Sequence, residues 1–428
     1  MLKTTVAYQR RIVDNELDGL VEGGIAAISL EGAKATGKSF TAMQRVQRTI
    51  FLEREVERNL LIADPERILS HESVLIDEWQ LVPSVWGTVR AAVNLGAHPG
   101  QFFLTGSASA THAGTHSGAG RIVKVRMRPM TLEERGVGTP SVSLTELLSG
   151  ARPSISGETD VTLGDYADEI LRSGFPGIRS LGSVARQAQL ASYVDRALDH
   201  DFVEVGGRKI RNPMVLRRWM TAYAAATSTI ATYETIRDAA SGGSSDKPSR
   251  FSTIPFRDAL EALFLLDSVP AWMPTLSHLS ELATSPKHHL VDPALAAELL
   301  GLSVDALLSG RERQGQIRDG AFFGALFESL ITLNVRVYAQ GASARVGHLR
   351  LHRGQREIDL IVERRDGRVV AMEVKLSPTV TDNDVKHLRW LQEKIGSDLL
   401  DAVVVTTGKY AYRREDGIAV VPAALLGP

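Results

Sequence analysis

The chain has no cysteine among its 428 residues. Disulfide scaffolding, thiolate zinc sites, iron–sulfur clusters and a cysteine nucleophile are excluded together. It also has almost no net charge, since 49 Lys plus Arg stand against 50 Asp plus Glu. Any nucleic-acid contact must then come from a local basic patch, because the field of the whole molecule is close to neutral. The N-terminus, MLKTTVAYQRRIVDNELDGL, reaches charged residues at once and has no apolar h-region, so no secretory signal is expected. The longest uncharged stretch near a helix, WMTAYAAATSTIATY, is too short to span a bilayer. The expectation is a soluble, cytoplasmic protein without membrane contact.

What is present is ordinary globular material, 43% hydrophobic and 23% charged. The length allows about three domains. The first third alternates short apolar strands with helical or polar segments, as a parallel sheet with crossover helices does. The strands are expected at 26–30, 59–63, 73–77, 101–105 and 121–127, with a small-residue loop, ASATHAGTHSGAG, before the last. A loose Gly, Pro and Ser stretch over 136–157, around the short helical piece SLTELL, suggests the first domain boundary.

From about Thr162 to Leu266 the apolar spacing turns helical, interrupted by the linker-like SGGSSDKPS. The segment STIPFRDALEALFLLDSVPAW reads as a helix running into a strand, which fits a winged-helix module: either a recognition helix with its wing or a packing unit between larger domains. The last part is mixed α/β. A helix, AFFGALFESLITLNVRVYA, precedes two alternating strands, REIDLIVE and RVVAMEVKLS, with DG between them as a hairpin turn. An amphipathic helix, DNDVKHLRWLQEKIG, and a buried strand, DAVVVTTG, follow. The expected domains are 1–140, 160–275 and 280–428.

Gly32-Ala33-Lys34-Ala35-Thr36-Gly37-Lys38-Ser39 matches the phosphate-loop pattern in full. It follows an apolar strand and opens a helix at Phe40, the context the motif needs. The glycines let backbone N–H groups face phosphates, Lys38 reaches the β- and γ-phosphates, and Ser39 ligates Mg²⁺. Val74-Leu75-Ile76 then buries a strand that ends in Asp77 and Glu78. Asp77 suits the Mg²⁺ shell, and Glu78 suits the general base that polarises water. The next strand ends in Thr105, Gly106 and Ser107; either hydroxyl can orient water or simply cap the turn.

With one strand between the phosphate-loop strand and the Asp77 strand, the order resembles AAA-type and related ATPases. Tyr8 with Arg11, the phosphate loop, LIDEWQ, FFLTGSAS, AGRIV and MRPMTLEERG occur as in one large prokaryotic ATPase family, whose C-terminal half is catalogued only as a domain of unknown function. SGFPG, HHLVDPALAAELLG and GALFESL resemble that half, so the likeness covers nearly the whole chain. The loop text AKAT departs from a common Pro-Arg pair, at variable positions only. The resemblance implies ATP and Mg²⁺ as ligands, with Tyr8, Arg11 and Phe40 at the nucleotide. For Arg121 it implies a contact to the γ-phosphate or to a neighbouring subunit, against the plain alternative of a structural arginine.

Glu328, Asp359, Glu373 and Lys375 are a second chemical signal. Glu373 and Lys375 share one strand face, and hairpin pairing brings Asp359 beside them. Glu328 on the upstream helix can complete a divalent-ion shell. Asp followed by Glu-x-Lys on adjacent strands resembles the PD-(D/E)xK nuclease core, which implies a restriction-endonuclease-like domain, Mg²⁺ ligation and phosphodiester hydrolysis. Two basic clusters, His348, Arg350, His352, Arg353 and Arg356, and Arg208, Lys209, Arg211, Arg217 and Arg218, are candidate phosphate contacts or solvated faces. His288-His289 sits in an apolar stretch without further ligands at metal spacing and reads as packing. The expected partners are ATP and ADP, DNA, and a second copy or another protein. Two functions follow: ATP hydrolysis coupled to DNA binding or cleavage, or an ATP-switched binding module whose C-terminal site is chemically silent.

Overall fold

The computed structural model describes residues 8–108, 120–202, 213–241, 250–273, 285–309, 319–351 and 354–428. Its first sheet has five parallel strands: β1 (Ala27–Glu31), β2 (Arg48–Phe51), β3 (Val74–Asp77), β4 (Phe102–Gly106) and β5 (Ile122–Arg126). Their spatial order is β2-β3-β4-β1-β5. Period-two alternation sends Ile28, Leu30, Leu75 and Phe103 to one face, under Val13 and Leu17 of the helix Ile12–Glu22. Ala27, Val74, Ile76, Phe102 and Leu104 face the other way, against Trp86 and Val89 of the helix Ser84–Asn94. Both faces are covered, as a parallel sheet requires.

One strand differs from expectation. Residues 59–63 lie in the helix Glu55–Ala63, and the added strand is β2, placed at the sheet edge by Arg48–Phe51. NLLIA is too short for its period to separate helix from strand. Leu61 alone is buried there, while Leu60 and Ile62 are exposed. The strand standing between β1 and β3 in space is β4, which pairs with both.

The segment expected as a loose boundary is structured. β6 (Val142–Ser143) pairs with β14 (Leu426–Gly427), and β7 (Gly157–Glu158) pairs with β12 (Tyr410–Arg413). The second sheet runs β7-β12-β13-β11-β10-β9-β8, where β8 is Arg345–Arg350, β9 Glu357–Glu363, β10 Val369–Lys375, β11 Leu399–Thr406 and β13 Ala419–Pro422. β9 and β10 form the antiparallel hairpin, and β10 pairs parallel with β11 after the helix Asp382–Ile395.

Between the sheets lie the helices Leu163–Arg172, Ser183–Arg196, Pro213–Ala225, Tyr233–Ser241, Arg250–Ala262 and Pro293–Leu300. They share one core with the helix Asp319–Gly341 and with one face of the second sheet. After Ala262 the expected strand is present only as isolated bridges, Leu266 to Leu290, Val269 to Lys287 and Ala271 to His348. SGFPG and VDPAL meet here: Asp292 caps the helix Pro293–Leu300 through Ala294 N (2.9 Å) and accepts from Ser173 Oγ (2.8 Å) and Gly174 N (2.7 Å). Phe322–Gly341 is long and apolar enough to cross a membrane by length and composition, a stretch the sequence reading passed over, and 78% of its apolar window is buried inside the fold. Most of SGGSSDKPS and of the small-residue loop after Ser107 lies outside the described residues.

Candidate functional site

The phosphate loop joins β1 to the helix Lys38–Met43 at the carboxyl edge of the first sheet. Gly32 is required by close approach, since a Cβ there would lie 2.2 Å from Met127 O. Gly37 is required by conformation, with φ +101° in the left-handed region. Ala35 also has positive φ, and Thr36 Oγ1 ties the loop to Ala33 O at 3.0 Å. Lys38 Nζ donates to Gly32 O and Ala33 O, each at 2.9 Å, so its ammonium lies inside the curl of the loop. Burial lowers its pKa to about 8, against the pull of Glu78 and Asp77.

Parallel register sets Asp77 opposite Thr105 across β3 and β4. Asp77 Oδ1 accepts from Ser39 Oγ at 2.6 Å and from Thr105 Oγ1. Glu78 turns away into the left-handed region at φ +54°, a conformation costly for a non-glycine residue. Ser107 holds it there, Oγ at 2.8 Å and N at 3.3 Å, and the Gln80 side-chain amide donates to the same oxygen. The two hydroxyls left open by the sequence thus divide, Thr105 to Asp77 and Ser107 to Glu78. A hydroxyl and a carboxylate at the end of a glycine cradle fit a magnesium ion bound with a nucleotide phosphate.

Tyr8 OH donates to Asp14 Oδ2 (2.6 Å) and accepts from Thr41 Oγ1 (3.1 Å), and burial with the Asp14 contact pushes its pKa up to about 12. Arg11 braces the loop from behind, with Nη1 on Thr36 O at 2.9 Å and Nε on Glu134 Oε1 at 2.9 Å. Phe40 is 60% exposed beside Ser39. Lys34 reaches the central helices, its Nζ 2.8 Å from Asp201 Oδ1, while Tyr193 OH donates to Lys34 O at 3.2 Å.

The structure does not bring Arg121 to the phosphate loop. It precedes Ile122, which pairs with Ala27 at the start of β1, and its Nε donates to Asn94 Oδ1 at 2.9 Å. The loop follows Glu31, whose partner is Arg126. Five residues of strand put Arg121 roughly 16 Å from that end. Arg126, which the sequence reading did not single out, occupies the loop end of β5 instead, opposite Glu31. Its guanidinium lies 4.0 Å over the Phe264 ring, and burial lowers its pKa to about 10.

In the second sheet, Glu328, Asp359, Glu373 and Lys375 do converge. Val374 N donates to Asp359 Oδ2 at 2.9 Å, and Lys375 Nζ lies 3.2 Å from Glu373 Oε2. A fifth residue, Lys287, was not foreseen. Its Nζ lies 2.9 Å from Glu328 Oε1, 3.0 Å from Asp359 Oδ1 and 3.4 Å from Glu357 Oε1, with its side chain 1% exposed. A lysine in the run KHHLVDP, flanked by apolar and aromatic residues, was the clue. Burial alone would raise the Asp359 pKa, but Lys287 and Lys375 hold it down at about 2. Burial and the Asp359 charge push Glu328 up to about 8, and Glu373 is raised well above the usual range by the same two causes.

The basic clusters separate as well. His348 is a buried core group, with Nε2 2.9 Å from Ser285 O and its pKa lowered by burial to about 4, so it offers no phosphate contact. Arg350 pairs with Glu357 at 3.1 Å, Arg356 lies 5.9 Å over the Trp390 ring, and Arg217 pairs with Asp195. Arg218 is exposed. Arg208, Lys209, Arg211, His352 and Arg353 lie outside the described residues. His288 packs edge-on against Tyr223 and Tyr233.

Residues 25–135 match a family model described as an AAA domain. Residues 163–306 and 323–426 match two models described as domains of unknown function, DUF8612 and DUF4143. Uncharacterized proteins of Mycobacterium bovis and Mycobacterium tuberculosis are each 23% identical over 407 residues, covering 92% of this chain and 80% of theirs. A Walker-type ATPase of Pyrococcus abyssi is similar at a TM-score of 0.41 and 15% identity, over 68% of this chain and 96% of its own.

Proposed function

Starting from an N-terminal P-loop ATPase domain, matched as an AAA domain over residues 25–135, we propose that the chain hydrolyses Mg·ATP and uses nucleotide state to set its affinity for DNA or a protein partner. The observation that carries this reading is the paired carboxylate arrangement, Asp77 with Ser39 and Thr105, and Glu78 with Ser107. Magnesium, when bound, neutralises charge on the phosphates. Asp77 and Ser39 hold its shell, Lys38 leaves its two loop carbonyls for phosphate oxygens, and Glu78 takes the proton of the attacking water. Arg126, at the loop end of β5, is the arginine closest in role to a γ-phosphate contact.

Two routes out of the loop support the switch. Arg11 joins Thr36 O to Arg128 O (3.0 Å), and Arg128 pairs with Asp267, which Arg336 on the helix Asp319–Gly341 also reaches at 3.4 Å. Lys34 and Asp201 link the loop to the central helices. The test is partner or DNA binding with ATP, with ADP and without nucleotide, in wild type and in Glu78→Gln. Equal affinity in all three states would sink the switch, and retained turnover in Glu78→Gln would sink the role of Glu78.

A second reading, metal-dependent DNA cleavage by the C-terminal domain, draws on the convergence of Glu328, Asp359, Glu373 and Lys375, and it requires the Lys287 ammonium to leave the space it fills among Glu328, Asp359 and Glu357. Cleavage of linear, nicked and single-stranded DNA with Mg²⁺ or Mn²⁺, lost in Lys375→Ala, is its test.

A further inference from the structure

The acidic cluster of the second sheet is the place where the PD-(D/E)xK resemblance implies a divalent ion, and its residues do not fit one as they stand. We propose that Lys287 is the built-in cation of this cluster: its ammonium stands where the divalent ion would, so the site is held together without metal.

An ammonium has three N–H donors. Three carboxylates surround this one, Glu328 at 2.9 Å, Asp359 at 3.0 Å and Glu357 at 3.4 Å. They come from a helix and a strand that are distant in sequence, and the lysine is what they share. A divalent ion would need these oxygens at about 2.0–2.6 Å from its own centre. Nζ already fills that space, and two cations in one cradle repel.

Nor is this a surface lysine caught in passing. Its backbone is fixed by a reciprocal pair, Lys287 N to Val269 O and Val269 N to Lys287 O, both 2.9 Å. The roof is fixed too: His348 N donates to Pro270 O at 3.0 Å and Trp272 N to His348 O at 2.7 Å, with the His348 ring on Ser285 O. The remaining charges have their own partners, since Arg350 lies 3.1 Å from Glu357 and Lys375 lies 3.2 Å from Glu373. Among the described residues, no group of three or more His, Asp or Glu side chains is arranged to hold a metal ion. On this account the cluster is an ion-paired joint of three cations and four carboxyl groups between the helix Asp319–Gly341 and the β9–β10 hairpin, and the domain carries binding or transmission without metal hydrolysis.

The inference is independent of the ATPase reading, because neither Lys287 nor its partners belong to the phosphate loop. It is tested on the full chain by iron-mapped cleavage, in which Fe²⁺ with ascorbate and peroxide cuts backbone beside a bound ion. Wild type should show no Mn²⁺-competed cuts near Glu328, within 357–359 or near Glu373. Cuts there would overturn the proposal. Lys287→Ala should gain such cuts, and Mn²⁺ should raise its Tm while leaving that of wild type unmoved. A folded Lys287→Ala that takes no Mn²⁺ at the cluster would also overturn it, for the lysine would then not be standing in a cation's place. If that variant does not fold, the wild-type map decides. Loss of the ATPase reading would register separately, as ATP turnover that survives Lys38→Ala.

Discussion

Arg128 grips Asp267 with two nitrogens, Nε at 2.7 Å from Oδ2 and Nη2 at 3.3 Å from Oδ1, tying the strand end beside the phosphate loop to the segment after the central helices. Arg126 and Arg336 approach the same carboxylate at 3.8 and 3.4 Å. One anion thus serves three cations from two parts of the chain, Arg126 and Arg128 at the end of β5 and Arg336 on the helix Asp319–Gly341.

Asp267→Asn should therefore cost about 3–5 kcal/mol, because it leaves buried guanidinium groups without their counter-charge. Burial alone would raise the Asp267 pKa, but the three arginines hold it well below the usual carboxylate range. A depressed folded-state pKa gives stability that is present above the unfolded value and lost as pH falls. The difference in unfolding free energy between wild type and variant should stay level above about pH 5 and shrink below about pH 4. Urea denaturation across that range reads both.

Glu78→Gln should lower ATP turnover by about 10²–10⁴-fold while ATP still binds, as expected when a general base is removed. Lys38→Ala should instead weaken nucleotide binding itself. Single-turnover hydrolysis beside equilibrium binding of a fluorescent ATP analogue separates the two.

Gly32→Ala should destabilise the fold by about 1–3 kcal/mol and weaken nucleotide binding, since the added methyl meets the carbonyl of Met127 and displaces the loop. A Tm with and without ATP is the measurement. A nucleotide-induced shift as large as that of wild type would mean the loop absorbs the methyl elsewhere.

Arg121→Ala should leave turnover unchanged in dilute protein, because the residue sits at the opposite end of β5 from the loop. Arg126→Ala should lower turnover at least about tenfold, toward the roughly 10³-fold that an arginine on the transferred phosphoryl group is worth. If Arg121 serves a neighbouring molecule, its loss will appear only as protein concentration rises.

The nucleotide site was legible because its chemistry is local: glycines, lysine and serine lie within eight consecutive residues, and Asp77 and Glu78 end one apolar run. The β9–β10 hairpin was legible for the same reason, with alternation on both sides of a DG turn. What escaped reading depends on distant partners. Lys287 is 41 residues from Glu328 and 72 from Asp359, so its setting in the run KHHLVDP hints at burial while nothing nearby names the carboxylates it meets. Arg126 differs from Arg121 only in which end of a strand it occupies, and that is settled by pairing with β1. Residues 59–63 were misjudged because a five-residue apolar run has no readable period.

The pairing of β6 with β14 has a consequence for how the chain is made. Ser143 donates to the carbonyl of Pro428, 285 residues later. At about 5–20 residues per second, the ribosome needs roughly 14–57 s to supply that partner. Throughout this interval Val142–Ser143 has no neighbouring strand, and Gly157–Glu158 has none until Tyr410–Arg413 is made, while the phosphate-loop sheet upstream of them is already complete in sequence. Synthesis thus has a built-in order: the strands of the N-terminal sheet are all made before the connecting segment, and that segment gains its pairings only when the far strands emerge.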